Sequence, residues 1–238
     1  MTGMNVIPFD VLCAGNIIKC DYIAGHLSRQ TVLIHGAGAS VRGRFAPLRS
    51  TLHKRGIGST AFDCIGHGET GGSLAESSLI SRTRQAEAVI NAQPRGVSLA
   101  IVGTSMGAYN AIKLLETQKV EALVLVVPGV YTPEAYELPF GAEFTAVIRK
   151  ERSWDNTDAW GILEQFTGKL LVIAAEHDTV IPAEIPERLV QSARKASWRK
   201  LHVVPGAEHN RLFSLLVERP VEFKETMDLI LTCLEPSK

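Results

Sequence analysis

An excess of charge of either sign is missing from this 238-residue sequence: 25 Lys and Arg residues are matched by 25 Asp and Glu residues. Nucleic acids and anionic membrane surfaces both call for a basic field, so neither is an expected partner. Long apolar runs are missing as well. The longest, Val120–Val130, is interrupted by Glu121 and Pro128 and falls short of the roughly 20 residues a bilayer helix needs. The first ten residues, MTGMNVIPFD, lack the basic start of a secretory signal. Four scattered cysteines (Cys13, Cys20, Cys64, Cys233) form no CxxC pair and read as reduced thiols, which makes a cytoplasmic address the expectation. GxxxxGKS/T, HExxH and clustered metal ligands are all absent, so no nucleotide, metal or other cofactor is expected. No fixed-period repeat or low-complexity tract suggests a solenoid or a linker.

What remains is 45% apolar and 21% charged, enough for one sizeable core and short for two. Residues 1–238 are therefore expected to form a single domain. Val11–Cys13 and Ile17–Tyr22 flank Ala14-Gly15-Asn16, a plausible hairpin turn. Compact apolar runs follow at Thr31–His35, Ser59–Cys64, Val97–Gly103, Ala122–Val127 and Leu170–Ala175, with a shorter one at Leu201–Val204. Helical spacing occupies Phe45–Arg55, a stretch from a Ser77 or Ser78 cap to Asn91, Ala108–Gln118, Pro186–Ala196 and Val221–Leu234. Near-continuous apolar strands alternating with helices predict an α/β sandwich, a mostly parallel sheet covered on both faces.

About forty residues separate the strand ending near Val127 from the one starting at Leu170, more than one crossover helix requires. This stretch holds Tyr131, Tyr136, Phe140, Phe144, Trp154, Trp160 and Phe166. Two readings fit: two short helices packed on the core, or a small helical cap over 131–167 lining a pocket at the carboxyl ends of the strands.

The sharpest chemical signal is Gly103-Thr104-Ser105-Met106-Gly107, which follows an apolar strand and opens a helix. A serine is a poor nucleophile unless a tight turn projects it into a pocket beside a base. The flanking glycines let strand and helix approach closely, and the Met106 N–H at the helix start can face a developing oxyanion. His209, in Pro205-Gly206-Ala207-Glu208-His209, follows the last strand among small turn residues and is the candidate base. His26 and His53 fall in surface segments, His202 lies within a strand, His35 ends a strand as a loop brace, and His177 adjoins a better candidate. That candidate is Asp178, just past a strand end, suited to hold the imidazole in one tautomer. Glu176 and Glu208 are its rivals. A second oxyanion donor is available in His35-Gly36-Ala37-Gly38, with the Ala37 N–H best placed. A literal GxGxxG at Gly66–Gly71 is followed by Gly72 and Ser73 instead of a helix, which removes the helix N-terminus a phosphate needs.

Taken in order, His35-Gly36, the Asp63–Gly68 segment, the turn around Ser105, Asp178 before Val180-Ile181-Pro182, and Gly206–His209 make the sequence resemble the α/β-hydrolase superfamily over nearly its whole length. It is most similar to the small esterase and serine-aminopeptidase-like branches. The resemblance implies a three-layer sandwich around a mostly parallel eight-stranded sheet whose second strand is antiparallel. It also implies a Ser105–His209–Asp178 triad, oxyanion amides from Ala37 and Met106, and hydrolysis through an acyl-enzyme without a cofactor. The long lid and three-glycine oxyanion run of lipase-like members are absent, which speaks against bulky lipids. The expected partner is a small-molecule acyl substrate, an ester of small to medium acyl group. A thioesterase, an aminopeptidase or amidase that holds a substrate amine on Glu134, Glu137 or Glu143, and a non-enzymatic receptor stand as alternatives.

Overall fold

Ala14 and Gly15 both have positive φ, 48° and 83°, as a two-residue hairpin turn with the sheet's own twist requires. They join β1 (Val6–Cys13) to β2 (Asn16–Ile23) and set Cys13 opposite Asn16. This computed structural model describes residues 4–94 and 96–236. Six further strands follow: β3 (Arg29–Ile34), β4 (Gly58–Phe62), β5 (Ser98–Thr104), β6 (Val120–Val126), β7 (Lys169–Ala175) and β8 (Trp198–Val204). The eight form one sheet in the order β1-β2-β4-β3-β5-β6-β7-β8. β2 runs antiparallel to β1 and β4, and all other neighbours are parallel. The antiparallel second strand is thus as the resemblance implies.

Burial explains the strand composition. Every residue of β3 and β4 is buried; the apolar run Val32–Ile34 and the small residues of β4 show this directly, while Gln30 at the start of β3 is buried with its amide donating to Thr60 Oγ1 at 2.8 Å. β8 is different, and longer than expected. Its start was hidden because Arg199 and Lys200 sit on an edge strand, where they stay in water while pairing with Leu170 and Leu171.

The helices are α1 (Ala46–Lys54), α2 (Leu79–Asn91), α3 (Met106–Lys113), α4 (Ala142–Ile148), α5 (Ala159–Gln165), α6 (Glu184–Ser192), α7 (Leu212–Glu218) and α8 (Pro220–Leu234). Of the two candidate caps for α2, Ser78 is the one used: its hydroxyl accepts from the Ser81 N–H at 3.2 Å. Strand residues alternate between two cores. Ile101, Leu123 and Leu125 face one, with α2, α3 and α6. Ala100, Val102, Val124 and Val126 face the other, with α1, α7 and α8. Each fully buried Leu or Ile contributes about 1.5–3 kcal/mol.

The stretch between β6 and β7 carries α4 and α5, and several of its aromatics pack into the core. Phe140, Phe144, Trp160 and Phe166 are buried in the first core. Phe140 stacks edge-on against Phe144, with ring centroids 4.9 Å apart. This is packing. Among the described residues no helix is long and apolar enough to cross a membrane.

Candidate active site

β5 ends at Thr104 and α3 begins at Met106, so Ser105 alone makes the corner, with φ 52° and ψ −118°. An L-residue held in such a sparsely populated conformation costs about 1–3 kcal/mol. Three backbone hydrogen bonds hold it there. The Ser105 N–H donates to the Val126 carbonyl at 2.9 Å, while the Ser105 carbonyl accepts from Ala108 at 3.0 Å and Gly129 at 3.2 Å. The two glycines of the motif have no room for side chains. A Cβ on Gly107 would overlap the Ile34 and His35 carbonyl oxygens, and one on Gly103 would overlap the first turn of α3. Val127, at the end of the adjacent strand, also has positive φ, 42°.

The structure brings the three candidate side chains together. Ser105 Oγ lies 3.0 Å from His209 Nε2, and His209 Nδ1 lies 2.8 Å from Asp178 Oδ2. The other Asp178 oxygen accepts from the Val180 and Ile181 amides, both at 2.8 Å. With Asp178 ionised, this network assigns the proton to Nδ1 and leaves Nε2 free to accept from the Ser105 hydroxyl. Partial burial opposes ionisation of Asp178. The His209 hydrogen bond and the two amides outweigh it and hold the carboxyl below its ordinary value. The rivals are engaged elsewhere. Glu176 accepts from the Gly206 amide at 2.7 Å, His177 and Glu208 are exposed, and His202 bonds Thr226 at 2.9 Å.

A pH prediction follows. Because the folded pKa of Asp178 is depressed, its stabilising contribution is complete above the unfolded value and disappears as pH falls through the folded one. Calorimetry on Asp178→Asn is expected to show a smaller fall in Tm between about pH 6 and about pH 3 than the parent chain shows. An identical fall in both proteins contradicts the coupling.

The loop after β3 is braced from behind. His35 Nε2 accepts from the Cys64 N–H at 3.0 Å, so its Nδ1–H donates to the Gly36 carbonyl at 2.7 Å. Burial, then the nearby Arg82 charge, pushes the His35 pKa well below its usual value, so the ring is neutral. Arg82, on α2, is fully buried. Its Nη2 donates to the His35 and Gly36 carbonyls, and its Nε to Asn110 Oδ1 at 3.3 Å. These partners are neutral oxygens, not a carboxylate. The Gly36 carbonyl and the Ala37 N–H belong to one trans peptide. Fastening that carbonyl toward Arg82 therefore turns the Ala37 N–H the opposite way. Met106 opens α3, so its N–H has no partner within the helix. Nothing in the sequence singled out Arg82: a mid-helix arginine between Ser81 and Thr83 reads as solvent-facing.

Beside Ser105 lies a cavity of about 280 Å³, lined by Gly36, Ala37, Thr104, Ser105, Val126, Val127 and His209. Its walls are Phe45 and Pro47 at the start of α1 and Leu212, Phe213 and Val217 on α7. The cavity therefore opens on the α1 and α7 side of the sheet. No residue of 131–167 lines it, which corrects the reading of that stretch as a pocket wall, and Glu134, Glu137 and Glu143 lie outside it. Sequence reasoning missed α7 because it has only seven residues and no capping side chain. Its signal was the spacing of Leu212, Leu215 and Leu216. The Gly66–Gly71 turn leads only to a single 3₁₀ turn, Leu74–Glu76, capped by Ser73. Among the described residues no group of three or more His, Cys, Asp or Glu is arranged to hold a metal ion.

Comparison with known proteins agrees with this architecture. Residues 25–154, more than half the chain, match the family model described as "Serine aminopeptidase, S33". The uncharacterized protein Rv2307c of Mycobacterium tuberculosis is 29% identical over 185 residues, 77% of this chain and 64% of that one. The chain thus spans less than two-thirds of that relative's length. Among solved structures, the Pyrococcus furiosus esterase Pf2001 superposes with a TM-score of 0.71 at 20% identity, covering 96% of this chain and 90% of that one. Est1E from Butyrivibrio proteoclasticus, solved with ferulic acid bound, gives 0.69 at 18% identity, over 93% and 99%. At such identities the likeness is one of fold. Family match, strand order and the strand–serine–helix corner agree, and the chain belongs to the serine aminopeptidase (S33) family of the α/β-hydrolase superfamily.

Proposed function

We propose that this chain is a serine hydrolase that cleaves a carboxylic ester of small to medium acyl group through a covalent acyl-enzyme on Ser105. The observation that carries this reading is the unbroken relay from Ser105 Oγ through His209 to Asp178, at 3.0 and 2.8 Å, opening onto a cavity. In the first half-reaction His209 Nε2 takes the hydroxyl proton as Ser105 Oγ bonds to the acyl carbon. The carbonyl oxygen becomes an oxyanion facing the Ala37 and Met106 amides. His209 returns the proton to the departing alkoxide, and the ester C–O bond breaks. A water molecule, deprotonated by His209, then releases the acid and restores Ser105. Asp178 keeps the imidazole oriented and stabilises its protonated form. None of these steps uses a cofactor.

Two features favour an ester of modest size over a peptide amine. Among the described residues no Asp or Glu lines the cavity to hold a substrate ammonium. Its volume of about 280 Å³ also lies just below the range of drug-sized ligand sites, roughly 300–1,000 Å³. A cytoplasmic setting belongs to the same proposal, since all four cysteines are unpaired.

The test combines a fluorophosphonate probe with a substrate panel. Peptide mass spectrometry is expected to find the label on Ser105. Among p-nitrophenyl esters of rising acyl length, kcat/KM is expected to peak at short to medium chains and to exceed the values for acyl-CoA and amino-acid arylamides. Folded protein that ignores the probe and the whole panel overturns the proposal.

A further inference from the structure

We infer that the substrate carries an anionic group, a carboxylate or phosphate, that docks on Arg44 and Ser40 at the mouth of the cavity beside Ser105. This rests on the hydrolase reading and adds the substrate's charge to it.

Three arginines lie close together in the chain here, and two are neutralised. Arg42 pairs with Asp21, Asp63 and Glu69, and Arg49 pairs with Asp21. Arg44 has no carboxylate partner among the described residues. It is exposed, and it lines the cavity. Apart from His209, it is the only titratable side chain among the described residues that does so. Among the described residues the cavity therefore has one fixed charge, positive, with no carboxylate paired to it.

Ser40 supplies a second, independent pointer. It is only 7% exposed, it lines the same cavity, and its hydroxyl makes no hydrogen bond within the described residues. A hydroxyl at the cavity surface with no protein partner is free to donate to a ligand there. The first turn of α1, which contributes Pro47 to the wall, contains no acidic residue that would compete for the guanidinium. Beyond these polar groups the walls are apolar, from Phe45, Leu212, Phe213 and Val217. Such a site fits an amphiphilic ester, with an apolar body against α7 and a charge at Arg44. A guanidinium presents paired N–H donors that match carboxylate and phosphate oxygens. The charge can come from the far end of the acyl chain or from the leaving group.

The experiment uses the full chain at low salt and two matched pairs of esters. In the first pair, p-nitrophenyl hydrogen glutarate against p-nitrophenyl pentanoate, the charge is on the acyl end. In the second, pentanoyl esters of 4-hydroxybenzoate against 4-hydroxybenzamide, it is on the leaving group. One pair is expected to show kcat/KM roughly tenfold higher for the anion, which identifies the source. Arg44→Gln is expected to abolish most of that ratio, Arg44→Glu to invert it, and Arg44→Lys to keep part of it. Ratios near or below one in both pairs overturn the inference, as does a preference that survives Arg44→Gln. A binding readout separates this from the hydrolase reading. Glutarate is expected to raise the Tm of Ser105→Ala protein more than glutaramide does, and Arg44→Gln in that background is expected to remove the difference. Arg44-dependent stabilisation without turnover leaves the docking site standing and defeats the hydrolase reading; turnover of neutral esters indifferent to Arg44 does the reverse.

Discussion

Alanine in place of Ser105 is expected to lower kcat on the best p-nitrophenyl ester by about 10⁶-fold, with KM little changed. Losing the nucleophile alone removes nearly everything a coupled Ser-His-Asp set contributes, and the residue left is what binding and oxyanion donors supply. The His209–Asp178 bond at 2.8 Å does not depend on the hydroxyl, so the variant keeps its fold. Glycine at the same position separates chemistry from strain. With φ at 52° and ψ at −118°, Ser105 occupies backbone space that glycine enters freely and alanine does not. Ser105→Gly is expected to be equally inactive yet more stable by about 1 kcal/mol, or about 2–4 °C in Tm for a chain of this size. Ser105→Ala keeps the strain and melts with the parent. Steady-state kinetics and calorimetry on the two variants check both halves. An alanine variant within tenfold of the parent ends the nucleophile assignment.

Replacing Arg82 by leucine is expected to lower kcat by about 10²-fold, the scale of losing one oxyanion donor. The side chain does not line the cavity. Under the proposed mechanism it acts as a positioning residue, holding the Gly36 carbonyl from behind and with it the direction of the Ala37 N–H. Its effect on stability is expected to be much smaller than its effect on rate. Leucine leaves the His35 carbonyl short of a donor, which costs about 1–3 kcal/mol. It also removes a buried guanidinium that has no counter-charge among the described residues, and this offsets part of that loss. A purely structural role would move Tm and leave the kinetics of the folded fraction intact. The diagnostic pattern is therefore a fall in kcat with KM nearly constant, together with an equal slowing of fluorophosphonate labelling. Lysine is expected to recover only part of the rate, because a single ammonium cannot reproduce donors to the His35 and Gly36 carbonyls and to Asn110 at once. Full kcat in folded Arg82→Leu protein rules the role out.

How much of this was legible beforehand depends on the range of the constraint. The corner at Ser105 was readable because glycine, serine and glycine must satisfy one local steric problem within five residues. Asp178 and His209 were readable because each follows a strand end, where side chains can reach the carboxyl edge of the sheet. Arg82 was not, since its partners are carbonyls 46 and 47 residues away and no periodicity in α2 records them. The cavity walls were hidden for the same reason. Phe45 and Leu212 meet only because α1 and α7 cover the same face of the sheet. The aromatics of 131–167 were visible as a cluster, but composition carries no information about which face of a sheet a segment will cover.

That face assignment has an evolutionary consequence. The β6–β7 excursion packs on one side of the sheet while the cavity beside Ser105 is walled from the other, and between α4 and α5 Lys150 and Glu151 are exposed. Extra chain spliced at that tip meets water, not the reacting groups. A lineage can thus acquire a docking module or a regulatory appendage there and leave the Ser105 cavity untouched, whereas any drift in α1 or α7 reshapes that cavity's walls.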